Sequence, residues 1–331
     1  MLNVLVQLSS FNKELDESPA FLLFETRSSD YTLRTRRSNI IHHPEGRSEL
    51  IDAFICTPTY DTGLRVRDSS PVVIHERKTY REMIVVNRRG ELEVIIRQRI
   101  KEQGPNCDLN DIDVSEVEDM SFLFYGSKFN GDISEWDTSK VVSMYHMFDG
   151  SPFTGDISKW NTSRVKDMSY MFTHSKFNGD ISAWDTSSVV DMNGMFLGSK
   201  FNGDISRWDT SKVESMDHMF EKSIFNGDIS DWDVSRVESM NDMFRSSQFN
   251  GDLSDWDVSN VKYMCYMFTN SKFNKDISRW DVSNVRDMDG MFERSNFKKN
   301  IRKWDVSRVE SMKDIFKGSP LANNKPKWYR S

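Results

Sequence analysis

The chain has 331 residues, enough for two or three ordinary domains, and its 37% apolar and 12% aromatic content can fill a sizeable core. Its formal net charge of −7 falls wholly on residues 111–331, which argues against nucleic acid as a partner. No run of about 18 apolar residues occurs, so no helix is expected to insert into a membrane. Cys56, Cys107 and Cys265 form neither a disulfide framework nor a zinc spacing.

Residues 1–82 carry short β-like runs between polar turns: LNVLVQL, AFLLFE, YTLRTR, AFICTPTY and PVVIHE. They predict a small β-rich domain, a candidate anchor through which copies of the chain could assemble. The start lacks the basic residues and long apolar segment of a secretory signal, so a cytoplasmic or virion-associated location is expected over secretion. Residues 83–110 predict a capping segment. Within it Glu91–Gln103 reads as a helix, with Leu92, Ile95, Ile96 and Ile100 on one face, basic residues late, then Gly104-Pro105 as a stop.

Residues 111–319 repeat. Trp136, Trp160, Trp184, Trp208, Trp232, Trp256, Trp280 and Trp304 recur every 24 residues, and Trp328 continues the series into the tail. Phe129, Ile133, Val141, Met144, Met147 and Phe148 recur at the same period, without an insertion between Ile112 and Phe316. A fixed period of this size means a solenoid whose units bury their apolar faces against one another. In the unit FNGDISEWDTSKVVSMYHMFDGSP, Asn130-Gly131 predicts a turn, and Asp132–Trp136 a short extended stretch with Ile133 inward. Ser139 then reads as the N-cap of a short helix, because Val141, Met144, Met147 and Phe148 lie at offsets of 0, 3, 6 and 7. Glu118, Glu214, Glu238 and Glu310 add a capping-box pattern. The expected fold class is therefore an α/β repeat solenoid, a leucine-rich-repeat-like coil of short parallel strands and short helices behind a small β-rich domain. An all-strand β-helix is the competing geometry, disfavoured by the V-x-x-M-x-x-M-F spacing. The Trp column is expected in the core, since an exposed row of indoles would be a large apolar patch. Residues 320–331 predict a cap, with Lys325, Pro326 and Lys327 blunting the last edge.

The repeat F-N-G-D-I-S-x-W-D-[TV]-S-x-V-x-x-M and its copies resemble the BspA-like leucine-rich-repeat surface proteins across residues 83–319. That resemblance implies a non-enzymatic adhesion or interaction role on cell surfaces, with similar repeats known in viral proteins, and it brings no catalytic residues.

Little in the repeats suggests chemistry. Two aspartate columns, one from Asp132 to Asp276 and one from Asp113 to Asp305, are expected to bond turns and helix entries rather than calcium, which needs six or more oxygens per ion. The six histidines are scattered, and His146 and His218 share a register three rungs apart, too far to ligate one ion. No catalytic residue, cofactor or metal is therefore expected. Recognition is expected where the copies differ. The position before Trp runs Glu135, Lys159, Ala183, Arg207, Asp231, Asp255, Arg279, Lys303, a stripe of changing charge. Tyr145, Tyr170, Tyr263 and Tyr266 are candidate contacts on the outer face. The expected function is a non-enzymatic scaffold displaying a protein-recognition surface, as a virion or surface structural or adhesion component. A glycan-binding adhesin of the same fold is the alternative, and an enzyme in the N-terminal domain a further one.

Overall fold

The computed structural model describes residues 83–329, together with the backbones of strands β1 (Leu2–Gln7) and β2 (Phe21–Thr26). The chain divides into two units, Met1–Tyr80 and Arg81–Ser331. In the first unit β1 and β2 pair antiparallel, with Leu2 opposite Thr26. The other runs expected in residues 1–82, and the anchoring role assigned to them, lie outside the described residues.

The second unit is a tandem-repeat coil of 24-residue rungs. Strand β3 (Ile84–Val85) runs parallel to β4 (Ile112–Asp113), and α1 (Arg89–Gln103) lies between them in sequence. Leu92 and Ile96 of α1 are buried in the core, with Ile95 and Ile100 partly so. Gly104 ends the helix at φ 89°, and its N–H donates to Ile100 O at 3.0 Å. Arg99 ties the helix to Asp111 at 2.6 Å.

The recurrent apolar side chains form parallel columns through the core. Trp208 is 4% exposed, its ring 6.5 Å from Trp184 and 6.4 Å from Trp232, within 4° of parallel to both. Phe196, Phe201 and Phe220 are likewise sealed. Like residues in successive rungs are separated by the rung-to-rung step at that point. The step is therefore 6.3 to 6.5 Å along the indoles and 5.7 to 5.9 Å from Phe148 to Phe196. Along the bridge column Asp119, Ser143, Asp167 and Asp191, adjacent rungs pair as parallel strands, which sets about 4.8 Å.

Two expectations about the rung need correction. No α-helix forms between Val141 and Phe148 or at its repeats; among the described residues α1 is the α-helix. The N–H groups of Met144, His146, Phe148 and Gly150 leave the rung and donate to Asp167, Ser169, Met171 and Thr173 O at 2.8 to 3.0 Å. Met147, Asp149 and Ser151 donate back to Met144, His146 and Phe148 within it. The alternation needs left-handed backbone at His146 (φ 52°) and Gly150 (φ 66°), and the next rung repeats it at Tyr170 and His174. A non-glycine residue there costs about 1–2 kcal/mol, offset by bonds that tie rung to rung. Helices lose because they pack 8–10 Å apart, whereas the aromatic columns hold the rungs about 6 Å apart.

The parallel pairing also runs along Ser143 and its repeats; in the Asp132–Trp136 register it occurs at the first rung, where Asp108 bridges Asp132. Backbone reaches backbone on the indole side at that first rung, where Leu109 N donates to Asp132 O at 2.9 Å, and beyond it side chains bridge the gap. Trp160 Nε1 donates to Ile133 O at 3.1 Å, Thr138 Oγ1 to Asn161 O at 3.0 Å, and Asn202 N to Asn178 Oδ1 at 2.7 Å. Ser139 caps no helix; its N–H donates to Asp137 Oδ1 at 3.0 Å. The aspartate columns serve as acceptors of this kind, as in Asp132, which takes the N–H of Ser134 at 2.9 Å. At the far end, Trp328 stacks 6.4 Å from Trp304 after a 3-10 turn at Pro320–Asn323, and Lys325 lies 4.3 Å over the Tyr329 ring.

Candidate functional site

The stripe positions Glu135, Lys159, Ala183, Arg207, Asp231, Asp255, Arg279 and Lys303 are all exposed. Each sits between a buried Ile or Leu and a buried Trp, in a turn closed by the Trp N–H on the carbonyl of that apolar residue, as Trp136 N closes on Ile133 O. The turn therefore forces the intervening side chain outward. The one ion pair along the stripe among the described residues is Lys159 to Glu135 at 3.6 Å, with both side chains well exposed and solvent-screened.

The tyrosines fall into two groups on the bridge face. Tyr145 and Tyr170 join an aromatic cluster with Phe122, Tyr125 and His146. The rings of Phe122, His146 and Tyr170 stack in one column at 5.1 and 4.7 Å, within 7° of parallel, and Tyr145 stands edge-on to all three. Phe122 and Tyr125 are 43% and 58% exposed. Four rungs after Tyr170, Tyr266 lies in the same column, with Tyr263 beside it on the bridge ladder, both exposed. The two stations share a device. Tyr170 lies against Gly194 and Tyr266 against Gly290, so that a Cβ on either glycine would meet ring atoms at 2.3 or 2.4 Å. Thr173 and Thr269, both buried, donate to the carbonyls of those same glycines at 2.7 and 2.5 Å. Phe122 and Tyr125 were not apparent as contacts from the sequence. Reading down the column through 122, 146 and 170 would have found Phe122.

Between the stations the structure assembles a polar group that the sequence reading also missed. His218 Nδ1 is 2.7 Å from Glu221 Oε2 and 3.9 Å from Asp242 Oδ2, and the three ligand-type atoms lie within 4.8 Å of one another. Lys222 holds Glu221 Oε1 at 2.9 Å, and Arg245 holds Asp242 Oδ1 at 3.0 Å while its guanidinium lies 5.7 Å from the Tyr266 ring centroid. Burial by itself would raise the Glu221 carboxyl, but the bonds and charges of His218 and Lys222 outweigh it and bring it down to about 2. The bond to Glu221 raises His218 against its burial, and burial raises Asp242 against the pull of Arg245 and His218. Three rungs earlier His146 pairs with Asp149 at 2.7 Å in the same way, but Tyr170 stands where Asp242 would be. No helix among the described residues is long and apolar enough to cross a membrane.

A family model described as "Mycoplasma protein of unknown function, DUF285" matches residues 97–196, 149–248, 174–271 and 223–328 in overlapping copies. Neither the curated proteins nor the solved structures compared with the chain hold a match.

Proposed function

The chain belongs to this repeat family, and on that premise we propose that it is a non-enzymatic scaffold displaying a protein-recognition surface, a structural or adhesion component of a cell surface or a virus particle. The observation that carries the reading is the division between columns. Side chains that keep one identity from rung to rung are buried, like Trp208 and Phe220, or bonded to backbone, like Asp209. Those that change identity face solvent along the stripe, and on the bridge face they range from exposed, like Tyr263 and Tyr266, to buried, like Glu221 and Thr173. The two tyrosine stations are the strongest contact candidates there, because tyrosine supplies large, rigid contact area at low entropic cost. Recognition would then join these stations to the charge sequence of the stripe.

Surface substitutions away from packed features seldom change stability by more than about 0.5 kcal/mol, so binding and folding are separable. Arg207→Glu with Asp231→Lys, and separately Tyr263→Ser with Tyr266→Ser, are expected to weaken capture of a partner by at least tenfold, the first at an unchanged melting temperature and the second with the chain still folded, since Tyr266 rests on Gly290. Undiminished binding in both double variants would refute the reading. A second reading, glycan binding, draws on the exposed aromatic cluster at Phe122 and Tyr125, since apolar sugar faces stack on aromatic rings. Glycan-array binding that is lost in Phe122→Ser and kept in both double variants would favour it.

A further inference from the structure

We infer that His218, Glu221 and Asp242 form a divalent transition-metal site, of the kind that takes zinc, on the bridge face of the coil. His218 Nδ1, Glu221 Oε2 and Asp242 Oδ2 converge from two adjacent rungs. A tetrahedral ion with bonds of about 2.0–2.1 Å sets its ligand atoms about 3.3 Å apart. The His–Glu and His–Asp separations of 2.7 and 3.9 Å straddle that value. The third edge, between the two carboxylate oxygens, is at most 4.8 Å, so coordination requires side-chain shifts of up to about 1.5 Å.

The surroundings favour such a site in three ways. Each carboxylate is held by its other oxygen, Glu221 by Lys222 and Asp242 by Arg245, which leaves Oε2 and Oδ2 turned toward the imidazole. Fixing a ligand through its far atom is how outer partners orient metal-binding side chains. The two carboxylate side chains are 7% and 12% exposed, so water competes weakly for them, while His218 at 36% leaves an opening through which solvent supplies the fourth ligand. His218 itself sits at φ 58°, a backbone position fixed by its inter-rung bond to Asn241 O at 2.8 Å. One imidazole with two carboxylates suits zinc and its neighbours; calcium would need six or more oxygens. Lys222 and Arg245 neutralise the carboxylates and weaken the attraction, but both are substantially exposed and screened. The site is therefore expected to bind zinc more weakly than one whose carboxylates carry no basic partner.

The coil carries its own control. His146 and Asp149 reproduce the His218–Glu221 pairing at the same 2.7 Å without a third ligand. The test titrates zinc chloride by calorimetry into the untagged full-length chain, stripped with chelator and dialysed. His218→Gln, Asp242→Asn and His146→Gln are compared, each with a thermal melt to establish that it is folded. Asp242→Asn retains an acceptor for Arg245 and so keeps the local packing. The expected result is one binding event whose affinity falls at least tenfold in His218→Gln and Asp242→Asn and is unchanged in His146→Gln. Cobalt bound in place of zinc should give visible absorption of a low-coordinate ion in wild type and lose it in the same two variants. Identical isotherms for wild type, His218→Gln and Asp242→Asn would overturn the inference and leave the three residues an ion-pair network. Loss of the event in His146→Gln would overturn it equally.

Discussion

Trp208→Ala tests the columns as the source of stability. The indole is 4% exposed, stacked between Trp184 and Trp232 and 6.1 Å from Phe196, and its Nε1 donates to Ile181 O at 3.1 Å. Truncating a buried Trp costs about 3–5 kcal/mol. The upper end applies here, because two ring stacks worth about 0.5–1.5 kcal/mol each are lost with the cavity-forming volume. The carbonyl of Ile181 is not orphaned, since Trp184 N still donates to it at 3.2 Å. The lost hydrogen bond therefore adds only about 1 kcal/mol. Trp208→Phe, which keeps a ring in the stack, should cost about 1–2 kcal/mol. At Trp328, half-buried and stacked on one side only, truncation should cost about half as much as at Trp208. Denaturant unfolding followed by circular dichroism measures all three. A loss below about 1 kcal/mol for Trp208→Ala, or tryptophan emission fully accessible to iodide, would refute the packed-column account.

Acid should loosen the coil through its aspartate columns. The N–H and hydroxyl of the serine two residues on hold Asp156, Asp204 and Asp228 below the ordinary aspartate value of 3.8. The hydroxyl and N–H of the corresponding serines do the same for Asp209 and Asp233. A depressed carboxyl contributes stability above its unfolded pKa and loses it as pH falls through the folded one. The melting temperature should thus hold above about pH 5 and fall modestly below about pH 4, because these carboxylates are solvent-screened; equal melts at pH 6 and pH 3 would contradict this. Two glycines separate backbone strain from steric clash. At Gly150 (φ 66°) an added Cβ meets nothing closer than 3.9 Å, so Gly150→Ala should cost about 1–2 kcal/mol of left-handed strain. At Gly194 the same strain is joined by the Tyr170 ring at 2.3 Å, so Gly194→Ala should cost measurably more in the same melts. Equal losses would mean that Tyr170 does not rest on Gly194.

The repeat, its period and its inward-facing residues were legible in the chain alone. A residue type that returns every 24 positions can be buried only as a column, because stacking by translation places like on like, and the nine Trp mark that translation without interruption. What the pattern left undecided was where the backbone hydrogen bonds go. Val141, Met144 and Met147 point inward at every third residue, with Phe148 next to the last, and a chain of three-residue turns does this as well as a helix. The choice falls to the distance between rungs, about 6 Å at the rings, which excludes packed helices and sends alternate N–H groups across the gap. That distance exists only between rungs, so no single copy of the repeat encodes it. The same holds for Phe122 over His146, Tyr170 over Gly194, and Asp242 beside His218. Each pair is 24 residues apart in sequence and becomes neighbouring only when the coil closes one full turn.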